Sequence, residues 1–508
     1  MKYSNPVVPG FFPDPSVCRV DDTYYLVCSS FNYFPGVPLF ESKDLVNWAP
    51  IGHVLTRPSQ LNLAESPTNG GIYAPTIRYH QGRFYMVTTN VDHGGNFYVW
   101  TDNIYGEWSD PIWVDQDGID PSFYFEGDKA YFMSNGTDDD GVGGICQCEL
   151  DITTGKKLTP TKCIWQGAGG RYLEGPHLYK VGGEYLLVAS EGGTEYGHML
   201  VCAKSNQLYG PYVNDPDNPI LTNRNLGGYQ IQGCGHADLV SDPKGNWWFV
   251  HLAFRQLDRW LQHHITGREV YLVPVTFVDG WPQVGEHGTT RAQFETDRIA
   301  SDVSQQPVAN LTLANSQVGN QWLFLREPDL THYQLTKLPT QIGLKPTTTK
   351  LEATAGSPSF IGTQQRALTF TFKTKVQLAT GEAGVTAYMT DEQHYDLAVR
   401  RTDAGFELFR RIRLGDANQE DHLVTLPVTG DSLEIELILT GTPYHYGFAA
   451  NYQGKSYDLG TAISRYLSSE VAGNFTGVML GIYAQTTVEN QTTPQWTNFS
   501  QLVYQNQD

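Results

Sequence analysis

The chain has 508 residues, with 34 basic against 54 acidic side chains and a net charge of −20. A surface that acidic repels phosphate backbones and anionic head groups, which excludes nucleic acid and membrane as partners and leaves neutral ligands such as sugars open. The length exceeds what one hydrophobic core sustains, and 51 Gly, 28 Pro and 12 % aromatic residues suit an all-β chain of short strands and turns in two domains.

At the start, Met1 to Pro6 lacks a basic region followed by an apolar stretch, and no run of about 18 apolar residues occurs anywhere. A cytoplasmic location is expected. Seven cysteines (18, 28, 146, 148, 163, 202 and 234) all fall in the first half, an odd count that argues against a disulfide framework. Cys146 and Cys148 lack a second pair at ligand spacing and read as buried strand thiols.

One short pattern then appears five times. Its copies are Pro13-Asp14-Pro15-Ser16-Val17, Tyr73-Ala74-Pro75-Thr76-Ile77, Ile119-Asp120-Pro121-Ser122-Phe123, Glu174-Gly175-Pro176-His177-Leu178 and Gly235-His236-Ala237-Asp238-Leu239. Each runs into an aromatic strand start, at Tyr25, Tyr85, Tyr131, Tyr185 and Trp248. A repeat of roughly 55 residues with four short strands per unit predicts a five-bladed β-propeller over residues 1–290. Most aromatic residues, Trp247 and Trp248 among them, are then expected to pack between blades.

From Thr289 to Pro307 polar and charged residues dominate, so residues 291–316 are expected to connect two domains. Beyond them, alternating runs such as Leu368 to Phe372 and Leu433 to Leu439 show no fivefold register. A β-sandwich over 317–508 is the economical expectation.

Equivalent positions of a radial repeat lie at equivalent radii, which brings Asp14, Asp120 and Glu174 toward one axis. Three converging acids raise one another's pKa, and a site that keeps them has use for the shifted protons. Asp14, between two prolines, could be a simple turn aspartate, but the parallel with Asp120 in the same register favours chemistry. Glu174 stands one place earlier with a longer side chain. A protonated Glu beside ionised Asp meets the requirement for acid and base acting together, as in glycosidic cleavage.

These residues carry a resemblance. Asn5-Pro6-Val7 leading to Phe12-Pro13-Asp14-Pro15-Ser16, with Gly118-Ile119-Asp120-Pro121-Ser122, Leu173-Glu174-Gly175-Pro176-His177, Gly233-Cys234-Gly235-His236-Ala237 and Gly267-Arg268-Glu269, resembles glycoside hydrolase family 43. Phe360 to Gln365 and Gly477 to Tyr483 resemble the β-sandwich appended in its β-xylosidase and α-L-arabinofuranosidase branch. The resemblance implies Asp14 as general base, Glu174 as general acid and Asp120 as the carboxylate orienting Glu174, with inversion at the anomeric carbon. It implies that Arg268 reaches a sugar hydroxyl or Asp14, and that Phe31 walls the terminal subsite. His236 is similar to a family histidine that lies under the site, in some members beside Ca²⁺ or another ion; the residue alone reads equally as a hydrogen-bonded core histidine. No cofactor is required, and a homo-oligomer is implied.

Where many members carry Trp-Ala-Pro, this chain has Ile72-Tyr73-Ala74-Pro75-Thr76, a form closer to members acting on arabinofuranosides. Tyr73 still offers a ring to a sugar. The expected activity is exo-acting release of terminal pentose by an α-L-arabinofuranosidase from arabino-oligosaccharides or arabinoxylan fragments. A β-1,4-xylosidase is the alternative, and a non-catalytic carbohydrate-binding propeller is the alternative of another class. Asp138 to Asp140 lacks the Gly and Glu of a Ca²⁺ hand, and His263-His264 near Arg268 lacks a third ligand for zinc but suits a pocket mouth.

Overall fold

Strand and turn alternate as the repeat predicts. In the computed structural model, which describes residues 2–300, 303–335, 339–427, 430–473, 475–487 and 495–508, the first half holds five antiparallel four-stranded sheets, each laid down in chain order. Sheet 1 comprises Ser16–Val20, Thr23–Val27, Gly36–Ser42 and Ala49–Leu55, and sheet 2 comprises Thr76–His80, Arg83–Asn90, Gly95–Thr101 and Ile112–Trp113. Sheet 3 comprises Ile119–Glu126, Lys129–Thr137, Gly143–Leu150 and Lys162–Trp165. Sheet 4 comprises Glu174–Val181, Glu184–Glu191, Met199–Ser205 and Val213–Asn214, and sheet 5 comprises Ile231–Ser241, Trp247–Arg255, Glu269–Val278 and Trp281–Val284. The first four copies open the first strand of a sheet or straddle its start, and the fifth lies within Ile231–Ser241.

The first strand of each sheet touches that of the next, and the first strand of sheet 5 touches that of sheet 1. The aromatic strand starts pack across these boundaries: Tyr25 meets Phe84 at 5.2 Å, Tyr85 meets Phe123 at 6.4 Å and Tyr124 meets Tyr185 at 6.0 Å. Such edge-to-face pairs exceed what apolar burial alone contributes. The N-terminal segment returns to the end of this half, where Lys2–Ser4 pairs with Gln293–Glu295 and Val7 N–H donates to Val270 O at 2.8 Å.

Asp238, fully buried, ties four sheets together. Its carboxylate accepts from Ser16 Oγ at 2.6 Å, from Arg78 Nη1 at 2.7 Å and Nη2 at 3.0 Å, and from Tyr179 OH at 2.5 Å. Burial alone would raise its pKa, but Arg78 and His177 reverse this and hold Asp238 far below the usual carboxylate range.

The second half is a β-sandwich of two antiparallel sheets. In one, Phe370–Leu378 and Leu433–Gly441 pair along their full length with one face buried, the period-2 pattern expected of a half-covered sheet. The other contains Ser359–Gln364, Met479–Gln485 and Glu382–Thr390, buried on both faces. The strand anticipated at Leu368 begins only at Phe370, because the N–H groups of Leu368 and Thr369 are taken by the Asp508 carboxylate. Within 291–316, Leu311–Thr312 pairs with Thr497–Asn506.

The halves are joined by backbone pairing. Tyr33–Phe34, which steps out of sheet 1, pairs with Phe324–Leu325. Among the described residues, helix is confined to Ser469–Ala472 and two 3₁₀ turns.

Candidate active site

Four of the five motif copies place a residue with positive φ at the same register position: Asp14 at 55°, Asp120 at 54°, Gly175 at 62° and His236 at 45°. Left-handed backbone at a non-glycine residue is costly and persists where the surroundings over-determine it. The pairing register also shifts between Ile119 and Ser122, between Glu174 and His177, and between Gly235 and Ala237. Such bulges re-aim side chains at the end of a strand. In the fourth copy glycine holds the left-handed place, since a Cβ on Gly175 would stand 3.0 Å from His236 Nδ1. The acid is therefore displaced by one residue, to Glu174.

The three acids do converge, around His236. Its Nδ1 lies 3.8 Å from Asp14 Oδ1 and 4.0 Å from Asp120 Oδ2, and its backbone N–H donates to Ser190 Oγ at 2.6 Å. Asp14 Oδ1 accepts from Arg268 Nη1 at 2.6 Å and Asp14 Oδ2 from Ser29 Oγ at 2.6 Å. Burial pushes the Asp14 pKa up, but Arg268, His236 and Ser29 together carry it below the ordinary value, so Asp14 is ionised.

Glu174 differs. Burial first, and then the Asp14 charge, push its pKa up to about 7 against the opposing pull of Arg268. Asp120 is also raised well above the carboxylate range, by burial, Glu174 and Asp14 in that order. The sequence reading placed the raised acid at Glu174 alone; full enclosure of Asp120 extends the effect to both. Two such carboxyls titrate as a pair that keeps a proton near neutrality. The Gly175 N–H donates to Asp120 Oδ2 at 3.1 Å, which favours the charged form of Asp120, whereas its deeper enclosure, 8 % exposed against 20 % for Glu174, favours the neutral form. The shared proton belongs to the pair, and Glu174 is its more accessible member.

Arg268 is nearly fully buried, with Nη1 shared between Asp14 and Thr194 Oγ1 at 3.2 Å and with Nε and Nη2 unpartnered. Phe31, 2 % exposed, stacks at 5.6 Å on Phe11 and at 5.6 Å on Phe475. Tyr73 meets Phe31 edge-on at 5.3 Å, and its hydroxyl donates to Asn69 O at 2.8 Å. Burial and then Asp92 raise the Tyr73 pKa against the pull of Arg268, with smaller contributions from Asp120 and Asp14.

Sequence reasoning had not found several participants. Ser29 follows an unremarkable strand, and His198 lies outside the repeat register although its Nε2 is 3.9 Å from Glu174 Oε1. Its Nδ1–H donates to Gly233 O at 3.2 Å, so Nε2 carries the lone pair. Phe475 comes from the sandwich half, with the Arg268 guanidinium 5.1 Å from its ring centre. His264, anticipated at a pocket mouth, is buried and donates from Nδ1 to Glu470 Oε1 at 2.8 Å, a carboxylate of the sandwich half.

An ion beside His236 is what the resemblance implied for some members. Among the described residues no group of three or more His, Cys, Asp or Glu side chains is arranged to hold a metal, and Asp238, two residues from His236, is neutralised by Arg78. These donors do not fit a metal, and no step below passes through one.

Comparison with known proteins agrees with this geometry. Residues 3–282 match the family model described as Glycosyl hydrolases family 43, and residues 313–505 match the Beta xylosidase C-terminal Concanavalin A-like domain. A non-reducing end α-L-arabinofuranosidase of Bacteroides ovatus is 39 % identical over 98 % of this chain and 94 % of its own. A xylosidase/arabinosidase of Butyrivibrio fibrisolvens is 34 % identical over 98 % of each. The solved structure of Bacteroides ovatus Xyloglucan PUL GH43B superposes with a TM-score of 0.92 at 37 % identity, over 99 % of each chain. The chain belongs to glycosyl hydrolases family 43 and is a glycoside hydrolase.

Proposed function

We propose that the chain is an inverting, exo-acting α-L-arabinofuranosidase that releases terminal pentose from arabino-oligosaccharides or arabinoxylan fragments in the cytoplasm. The observation that carries the reading is the split protonation of the trio: Asp14 held ionised by Arg268 and Ser29, Glu174 raised to about 7. One group is then a base and the other an acid at the same pH, as single-displacement glycoside cleavage requires. Asp14 takes a proton from water, whose oxygen attacks the anomeric carbon. The glycosidic C–O bond breaks on the opposite face, and the leaving oxygen takes the proton of Glu174. Asp120 orients Glu174 and sets its pKa, while the free Arg268 Nε–H and Nη2–H groups bind sugar hydroxyls. The inverting course is what the family resemblance implies.

In this reading the five sheets are the blades of a propeller over residues 1–290, supported by the closed cycle of contacts between first strands, and the sandwich over 317–508 closes the pocket through Phe475. Seven free cysteines suit a reducing compartment. The arabinofuranoside preference draws on Tyr73 and on the Bacteroides ovatus relative; the Butyrivibrio relative's dual name supports the β-xylosidase reading.

Initial rates on paired 4-nitrophenyl α-L-arabinofuranoside and β-D-xyloside decide between them, and a xyloside preference of about tenfold overturns the assignment. Glu174→Gln is expected to lower kcat by about 10²- to 10⁴-fold and to remove the alkaline limb near pH 7. Full activity in that variant would reject Glu174 as the acid.

A further inference from the structure

Away from the acids, a cleft of about 410 Å³ lies where the N-terminal segment, sheet 1, the 305–311 stretch and the sandwich half meet. That volume is within the range of small-ligand sites, about 300–1,000 Å³. Val8, Phe12, Phe40, Val46 and Trp48 form its apolar walls, and Arg366 lines it.

The polar groups of the walls are committed to one another. Asn47 bonds Asp44, Ser304 and Gln306; Gln305 bonds both N–H and C=O of Ser4; Gln321 Oε1 accepts from Gln317 N–H at 2.9 Å. Arg366 is the exception. Among the described residues no carboxylate pairs with its guanidinium, its Nε is buried without a partner, and its charged end stands 5.9 Å from the Phe12 ring centre. Burial lowers the Arg366 pKa, with only Tyr504 opposing. The acids at this junction are taken elsewhere: Glu269 receives Arg255 Nε and Nη2 at 2.8 Å each, and Asp508 lies 3.9 Å from Arg255. In a chain with 54 acidic residues, a half-buried guanidinium whose Nε is enclosed without a partner is open to an anion.

We propose that this cleft is a second ligand site, separate from the catalytic acids, that takes a flat monocarboxylate of arylcarboxylic type. Its carboxylate pairs with Arg366 in the two-pronged manner guanidinium favours, and its ring lies among Phe12, Phe40 and Trp48. The chemistry excludes other classes. A phosphate dianion would meet one cation inside a strongly acidic protein, and a neutral sugar would find the amides of the walls already bonded.

Calorimetric titration of the full chain with trans-cinnamate and with cinnamamide, its uncharged counterpart, tests this. Cinnamate is expected to bind one to one, with the amide and the Arg366→Gln variant each weaker by about tenfold or more. Hydrolysis of the aryl arabinofuranoside by Arg366→Gln is expected to be unchanged, which also reports that the variant folds. Should it not fold, Arg366→Lys keeps the charge and is expected to retain the preference for cinnamate over cinnamamide. Equal binding of the two probes, undiminished binding by Arg366→Gln, displacement of cinnamate by L-arabinose, or no binding at all would each overturn the proposal. Failure here leaves the assignment of Asp14 and Glu174 untouched, because the two sites share no residue.

Discussion

Arg268 and Asp14 meet at 2.6 Å, one from the start of the third strand of the last sheet and the other from the loop opening the first. The pair closes the cycle of sheets at the point where the base is needed. Both side chains are nearly inaccessible, 3 % and 8 % exposed, so little solvent screens them.

Removing the guanidinium while keeping bulk, as in Arg268→Met, leaves a buried carboxylate without its main partner. The Asp14 pKa is lowered in the intact site, so the base is ionised down to pH values below the ordinary Asp range. In the variant burial dominates and the pKa rises. The acidic limb of the kcat/KM profile is expected to move up by one pH unit or more, an effect of about 1.4 kcal/mol per unit. An unchanged acidic limb with only a raised KM would mean that Arg268 binds sugar without tuning Asp14.

Phe475 crosses from the sandwich half to cover one face of Phe31 at 5.6 Å and to lie near Arg268. Phe475→Ala deletes this stack, worth about 0.5–1.5 kcal/mol beyond area burial, and opens the wall beside the acids. The outcome anticipated is a loss in kcat/KM of about tenfold or more, with the thermal midpoint shifted by only a few degrees. Steady-state kinetics and a melting curve measured on one preparation separate this local effect from unfolding.

Glu470 joins the halves by accepting from His264 Nδ1 at 2.8 Å and from Tyr196 OH at 3.0 Å. Burial raises its pKa, but His264 outweighs burial and the net shift is downward. A carboxylate with a depressed folded-state pKa adds stability above its unfolded pKa of about 4.3, and that stability is lost as pH falls through the folded value. Glu470→Gln should therefore destabilise the protein by about 1–3 kcal/mol at neutral pH and by much less near pH 3. A difference between wild type and variant that did not shrink on acidification would contradict the role.

The fivefold motif was legible because one register governs both packing and chemistry: the Pro and Gly around Asp14, Asp120 and Glu174 mark the strand starts, and the aromatics that follow pack between sheets. Strand runs in the second half were legible from alternation, apart from the shortened start at Phe370. His198, Phe475 and the Glu470–His264 pair were not, because each reaches the site from an element with no period linking it to the motif. Arg78 was hidden for a related reason, as a cation inside a strand reads as surface until Asp238 from another sheet is placed against it.

The sequence by itself determined the all-β class, the two β-rich halves and the three acids, since side-chain alternation and a repeated turn are local properties. Only the tertiary structure decided how the acids are protonated. That depends on enclosure and on charges brought from distant sheets: Arg268 and Ser29 against Asp14, Asp14 against Glu174, and Glu174 against Asp120. Coulombic coupling acts through space, and the order of residues along a chain does not record it.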